Sequence, residues 1–187
     1  MYNCLRKFTA HFSPKILAFL FVFMMICAGI SAQTATITNP TDTTGWETTD
    51  TVSFTTSKTI TFPASSSITI QNLIINAGNN VVTLDLNGST LKILKITGPG
   101  AAERSGRLRL GNNQTGQLIV KNGTIEVDEF DTNDDGNNSL TLDHVSFTVT
   151  TSLFTNGLGT TTITAVAGDT DSSFIIPSGI GVCVSGV

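Results

Sequence analysis

The amino-acid sequence predicts an all-β fold, and three features carry that expectation. About thirty Thr residues, together with many Val and Ile, populate the chain after residue 32. Such β-branched side chains lose rotamer freedom in a helix and fit a pleated surface. No stretch of that part long enough for a helix shows the helical apolar period. Short alternating runs recur instead, separated by Gly, Asn and Asp.

Residues 1–32 read as a signal-peptide helix. Arg6, Lys7 and Lys15 form a basic start, Ile16 to Ile30 is an almost unbroken apolar run, and Ser31-Ala32 supplies the small residues a signal peptidase needs before Gln33. A membrane-spanning helix requires roughly 20 apolar residues, more than this run supplies. Cleavage is therefore expected, with no stable membrane span after it. Cys27 follows Ile26, where a lipidation site would carry a small residue. The expected location is secreted or at the cell surface.

The remaining chain holds all 14 acidic residues but only 7 of the 10 Lys and Arg, a net charge of −7. That balance excludes nucleic acid, whose phosphates need a basic patch, and anionic membrane surfaces. Cys183 is the one cysteine left after cleavage, so no intramolecular disulfide forms. Stability must come from burial and backbone hydrogen bonds.

Residues 33–50 are Thr-rich, with turn signals at Asn39-Pro40 and Thr44-Gly45, and read as a lead-in or N-terminal cap. Residues 51–187 read as repeated coils. Alternation begins at Val52-Ser53-Phe54 and Ile60-Thr61-Phe62. Ile68, Ile70, Leu73 and Ile75 then set a spacing that Leu140, Leu142, Val145 and Phe147 repeat at an offset of 72. Leu84, Leu86, Leu91 and Ile93 set a second, which Leu118, Val120, Ile125 and Val127 repeat at an offset of 34. In each, two alternating strands flank a polar corner: Gln71-Asn72, Asp143-His144, Asn87 to Thr90, or Lys121 to Thr124. Alternation points one side chain in and the next out, so a corner of two or four residues turns the chain while both strands keep their apolar faces inward.

Coil starts near Ile68, Leu84, Leu118, Leu140 and Ile163 give an irregular period of very roughly 20 residues, which points to a repeat architecture. The expected fold is a right-handed parallel β-solenoid, with an antiparallel β-sandwich as the alternative. Ile180 to Val184 reads as one more strand with no polar cap after it. The end of the chain therefore reads as a truncated product, a fragment, or a surface that stacks on a partner.

Several motifs between Trp46 and Leu94 carry a family resemblance. They are Trp46, Asp50-Thr51-Val52-Ser53-Phe54, Lys58-Thr59-Ile60-Thr61, Asn72-Leu73-Ile74-Ile75-Asn76-Ala77-Gly78, and Thr83-Leu84-Asp85-Leu86-Asn87-Gly88-Ser89-Thr90-Leu91. This stretch resembles the opening of secreted, adhesin-like β-helix proteins of the Bacteroidota. The resemblance implies a β-helix fold and a surface or secreted location, and no activity. Members often end in a sorting domain for type IX secretion; this sequence lacks one, which agrees with truncation.

Asp131-Thr132-Asn133-Asp134-Asp135-Gly136 fits the first half of an EF-hand-type loop. Calcium needs several hard oxygens on a tight turn. Asp131, Asn133 and Asp135 are the expected ligands, with Gly136 at the bend and a backbone carbonyl from Asn137. The twelfth position is Leu142 rather than a bidentate Glu, so Asp128, Glu129 or Asp143 has to substitute. The competing reading is a solvated acidic turn.

His144 is the sole histidine after residue 32, and no Ser or Cys nucleophile motif accompanies it. A corner role is expected, and one His with one Cys does not make a standard zinc site. Arg104, Arg107 and Arg109, with acids roughly one coil later, resemble part of a polysaccharide lyase pattern. The Asp134-Asp135 pair is all that matches β-helix hydrolases. Those features leave a portion of such an enzyme as the alternative to a non-enzymatic structural or adhesive role that binds an extracellular glycan or surface protein. No catalytic residue is assigned. Trp46 is expected to cover the first coil rather than stack on a sugar. The Thr-x-Thr pairs at 59/61, 148/150 and 162/164 are too unevenly spaced for an ice-binding array. Asn87, Asn113, Asn122 and Asn137 fit the N-glycosylation sequon, and Asp50-Thr51-Val52 resembles a Bacteroidota O-glycosylation site.

Overall fold

In the computed structural model of the protein, residues 35–97, 105–112, 114–132, 137–155, 160–176, 178 and 182–184 are described. The expected signal peptide lies outside them. The described residues hold thirteen strands and no helix. They are β1 (Thr36–Thr38), β2 (Thr51–Phe54), β3 (Lys58–Thr61), β4 (Ser67–Ile70), β5 (Asn72–Ile75), β6 (Val81–Asp85), β7 (Thr90–Ile93), β8 (Arg107–Leu110), β9 (Gln117–Asp131), β10 (Asn138–Thr155), β11 (Thr161–Ala165), β12 (Ser173–Ile175) and β13 (Val182–Val184). Every pairing between them is parallel. An antiparallel sandwich would need hairpin pairs, and none occurs among the described residues.

The pairings sort into three ladders. The first runs β1, β2, β5, β8, the end of β9, the end of β10 and β13. The second runs β3, β6, the start of β9, the start of β10 and β11. The third runs β4, β7, the middle of β9, the middle of β10 and β12. From β2 onward, strands join the ladders in the repeating order first, second, third along the chain. β9 and β10 each touch all three ladders because their corners are short enough to leave the pairing nearly continuous.

Inward side chains stack in columns. Ile68, Leu91, Ile125, Phe147 and Phe174 share one register on the third ladder. Val52, Leu73, Leu108, Phe130 and Leu153 share one on the first. Together with the second ladder they form a single apolar cluster. Its fully buried Leu, Ile, Val and Phe side chains each contribute about 1.5–3 kcal/mol by leaving water. Phe147 stacks on Phe174 with centroids 5.1 Å apart, and Phe130 meets Phe147 edge-on at 5.6 Å. Trp46 lies at one end of this core, 8% exposed and edge-on to Phe62 at 5.6 Å.

The apolar spacings read from the sequence do fall on strand–corner–strand units, but they align differently in space. Ile68 to Ile75 spans the third and first ladders, whereas Leu140 to Phe147 spans the second and third. Their equal spacing reflects two different corners of equal length. The offset of 34 holds on the third ladder, where Leu91 pairs Ile125, yet on the second Leu84 pairs Val120, an offset of 36. The reason is a longer corner in the earlier unit. Asn87 and Gly88 add a turn there, with Ser89 N donating to Leu86 O at 2.7 Å, while the next unit turns at Asn122-Gly123 alone. Ile68 likewise belongs to the third ladder; Ile60 is the second-ladder partner of Leu84.

The short corner depends on Gly123. A Cβ there would sit 2.5 Å from Ser89 O and 2.6 Å from Leu86 Cβ, both fixed by the ladder beneath. Gly123→Ala is expected to cost about 1–3 kcal/mol as overpacking, read from the urea midpoint. Gly45→Ala, at φ +76 with nothing within 4 Å, should cost only the backbone strain of about 1–2 kcal/mol. Equal stability of wild type and Gly123→Ala would contradict the tight stacking.

Candidate functional site

The outward face of the first ladder carries the one concentration of buried charge among the described residues. Alternation that points Leu73, Leu108 and Phe130 inward points Asn72, Arg107 and Glu129 outward in one column, and Ile74, Arg109 and Asp131 in the next. Arg107 Nε lies 3.2 Å from Glu129 Oε1, and its Nη1 donates to Asp131 Oδ2 at 3.1 Å. Arg109 Nε is 3.7 Å from the same oxygen. The Arg107 side chain is 9% exposed and that of Asp131 4%. Arg107 N donates to Asn72 Oδ1 at 3.2 Å, and Asn72 Nδ2 donates on to Thr51 Oγ1 at 3.1 Å.

Two cations thus face two anions in a dry setting. Arg107 Nη2, Asp131 Oδ1 and Ser105 Oγ are also buried there, without a hydrogen-bond partner among the described residues. Such a set stabilises only as a whole, because removing one member strands a buried charge. The sequence signal is an Arg-x-Arg at Arg107 and Arg109, answered one unit later by the Glu-x-Asp of Glu129 and Asp131. Along the chain it resembles an enzyme pattern; the register makes it an ion-pair ladder. Arg107, held by two carboxylates, is poorly placed to take a proton from a substrate.

Asp131 is therefore committed to guanidinium groups. Asn133 and Asp135, its expected partners for calcium, lie outside the described residues, as does Gly136. Leu142 is buried in the core, 3% exposed. Of the substitutes, Asp128 accepts from Lys95 N at 2.6 Å and Thr150 Oγ1 at 2.6 Å. Glu129 faces Arg107, and Asp143 lies 3.4 Å from Lys121 Nζ.

His144 stands at the corner between second and third ladders, as Asn122 does one unit earlier. Both backbones are left-handed, with φ 56 and 55, a region His and Asn enter more readily than most residues. His144 Nδ1 lies 2.9 Å from Asp143 Oδ1, and its backbone N donates to Asp169 Oδ2 at 2.8 Å. The Asp143 hydrogen bond, then the charge of Asp169, raises the imidazole above its ordinary value of 6.5. The hydroxyl of Ser172, then the His144 N–H, holds Asp169 far below the ordinary carboxylate range.

Ligand atoms of Asp143, His144 and Asp169 lie within 4.8 Å of one another. The oxygens of Asp169 each accept two hydrogen bonds within the corner, however. Asp169 Oδ1 accepts from Asp171 N and Ser172 N, and its Oδ2 from His144 N and Ser172 Oγ. The group is a corner staple. Sequence reasoning missed Asp169, whose one signal is its place in a Gly-Asp turn about one coil after Asp143.

Other outward features fall as follows. The Thr59/Thr61 and Thr162/Thr164 pairs lie on the second ladder, and Thr148 on the third. The sequon residues Asn87 and Asn122 are exposed at corners, Asn137 is exposed, and Asn113 lies outside the described residues. No helix among the described residues is long and apolar enough to cross a membrane. Comparison with protein-family models, curated proteins and solved structures finds no match for the chain.

Arg107→Met should cost about 3–5 kcal/mol in denaturant unfolding by leaving the buried Asp131 to Arg109 alone. Arg107→Met combined with Asp131→Asn should recover part of that loss; a neutral single variant would refute the buried ladder. The raised imidazole contributes stability that is complete below pH 6.5 and is lost as pH rises through the higher folded value. Melting temperature should therefore fall as pH rises above 6.5, a slope absent from His144→Asn, which keeps the left-handed corner. The same slope in both proteins would remove His144 as its origin.

Proposed function

We propose that this chain is a right-handed parallel β-solenoid segment that acts outside the cytoplasm as a structural and adhesive surface for glycans. The observation that carries this reading is the in-register outward column on the third ladder. It consists of Ser67, Thr90, Thr124, Ser146 and Ser173, one hydroxyl per unit. Parallel strands repeat about every 4.8 Å, so these short side chains form a regular line of donors and acceptors. Beside them run Thr69, Lys92, Glu126 and Thr148, with Lys92 Nζ 3.2 Å from Glu126 Oε2.

Hydroxyls of this kind lose little side-chain entropy on binding, which suits an extended polar ligand. Three parallel ladders visited in constant order support the solenoid reading, and the apolar run before Ser31-Ala32 supports export. Trp46 is buried against Phe62 and so takes no part in sugar stacking. The alternative, a portion of a polysaccharide lyase or hydrolase, draws no support from Arg107 and Asp131, which hold each other.

Glycan-array binding tests the reading. Wild type is expected to retain a subset of extended glycans, and Thr124→Arg combined with Ser146→Arg should weaken that binding about tenfold or more with an unchanged circular-dichroism spectrum. Absence of any glycan bound, or equal binding by the variant, would overturn it.

A further inference from the structure

We propose that the segment from β11 to β12, residues 160–176, is a latched cap on β10, held at its corner by Asp169 and Ser172 and able to open without unfolding the rest. The β6–β7 corner closes on β9 by main chain on main chain: Leu86 N donates to Lys121 O, Gly88 N to Asn122 O and Thr124 N to Ser89 O, while at the β3–β4 corner Ser66 N donates to the Ser89 hydroxyl at 2.8 Å. At the β10 corner two backbone donors go to side chains instead. His144 N donates to Asp169 Oδ2 at 2.8 Å and Val145 N to Ser172 Oγ at 3.0 Å. Asp169 also shapes the loop that presents it, accepting from Asp171 N at 2.8 Å and Ser172 N at 3.1 Å.

Beside this clasp the segment is held by the β11 and β12 ladders on β10, with Val166 N donating to Leu142 O at 2.9 Å, and it buries few apolar side chains. Ile163, Val166 and Ile175 are the exposed large hydrophobics among the described residues, at 37%, 40% and 46%, and all three lie in it. Its apolar anchor is Phe174 on Phe147 and Phe130, with half-buried Ile176. β11 and β12 pair with β10 alone. Elements with few buried apolar contacts and exposed backbone bonds open at lower free energy than the core, and here the side-chain clasp adds two hydrogen bonds to a one-sided ladder. Opening uncovers the β10 edge with Leu140, Leu142 and Phe147, the kind of edge that templates pairing with another strand.

Hydrogen exchange of the folded chain by NMR, corrected for intrinsic rates, tests this. The amides of His144 and Val145 should exchange about tenfold or more faster than those of Val120 and Ile125, on β9 with partners on both sides. Asp169→Ala should accelerate the first pair about tenfold further and leave the second pair unchanged. Ser172→Ala, a milder change, should act on Val145 in the same direction. One common rate for all four amides would overturn the proposal. So would either variant accelerating all four equally, since the segment would then open only with the whole.

Discussion

Parallel strands in register place each residue directly over its counterpart in the preceding unit, about 4.8 Å away. Every column must therefore tolerate its own repetition, and the rest of the structure follows from that demand. Apolar residues satisfy it inside, where Leu, Ile, Val and Phe stack into one cluster. Charges satisfy it outside only when sign alternates. Lys92 lies over Glu126, Arg107 over Glu129, Arg109 over Asp131 and Lys121 over Asp143, and each of these registered pairs is an ion pair. Like charges so close would repel.

Corners face a separate constraint. They must reverse direction in few residues without displacing the strands on either side. The chain does so with left-handed backbone at Asn87, Asn122 and His144 and with Gly where a neighbour's backbone comes too close. Polar side chains then take up donors the turn leaves over. Asn76 Oδ1 accepts from Asn112 N and Gln114 N, and Asn138 Oδ1 from Gly116 N. Asp169 is the same device carried further. There, the Asp169 carboxylate takes the His144 N–H beside the main-chain bond from Val166 N to Leu142 O.

The polar surface divides by ladder. The first carries the buried Arg–carboxylate set, whose charges are paired while Arg107 Nη2 and Asp131 Oδ1 have no hydrogen-bond partner among the described residues. The second and third carry short hydroxylated and β-branched residues open to solvent. On the third ladder the hydroxyls stand in a repeating line, Ser173 Oγ donating to Ser146 Oγ at 3.5 Å. Arg107, Asp131, Asp143 and Asp169 are each held by a neighbouring group.

The sequence by itself determined strand content, the inward set and the positions of the corners. Those depend on alternation and on local turn preference, both properties of neighbours along the chain. Val52, Leu73, Leu84, Leu91, Ile125 and Phe147 were all legible as core, and Gln71-Asn72, Asn87, Asn122 and His144 as bends. Only the tertiary structure decided which strand lies over which, because corner length varies between units and a shift by one full pleat preserves alternation while changing every partner. Leu84 over Val120, Arg109 over Asp131 and Asp169 beside His144 are products of that register. So are the ion pairs, the hydroxyl column and the clasp, since each joins residues whose proximity no local pattern specifies.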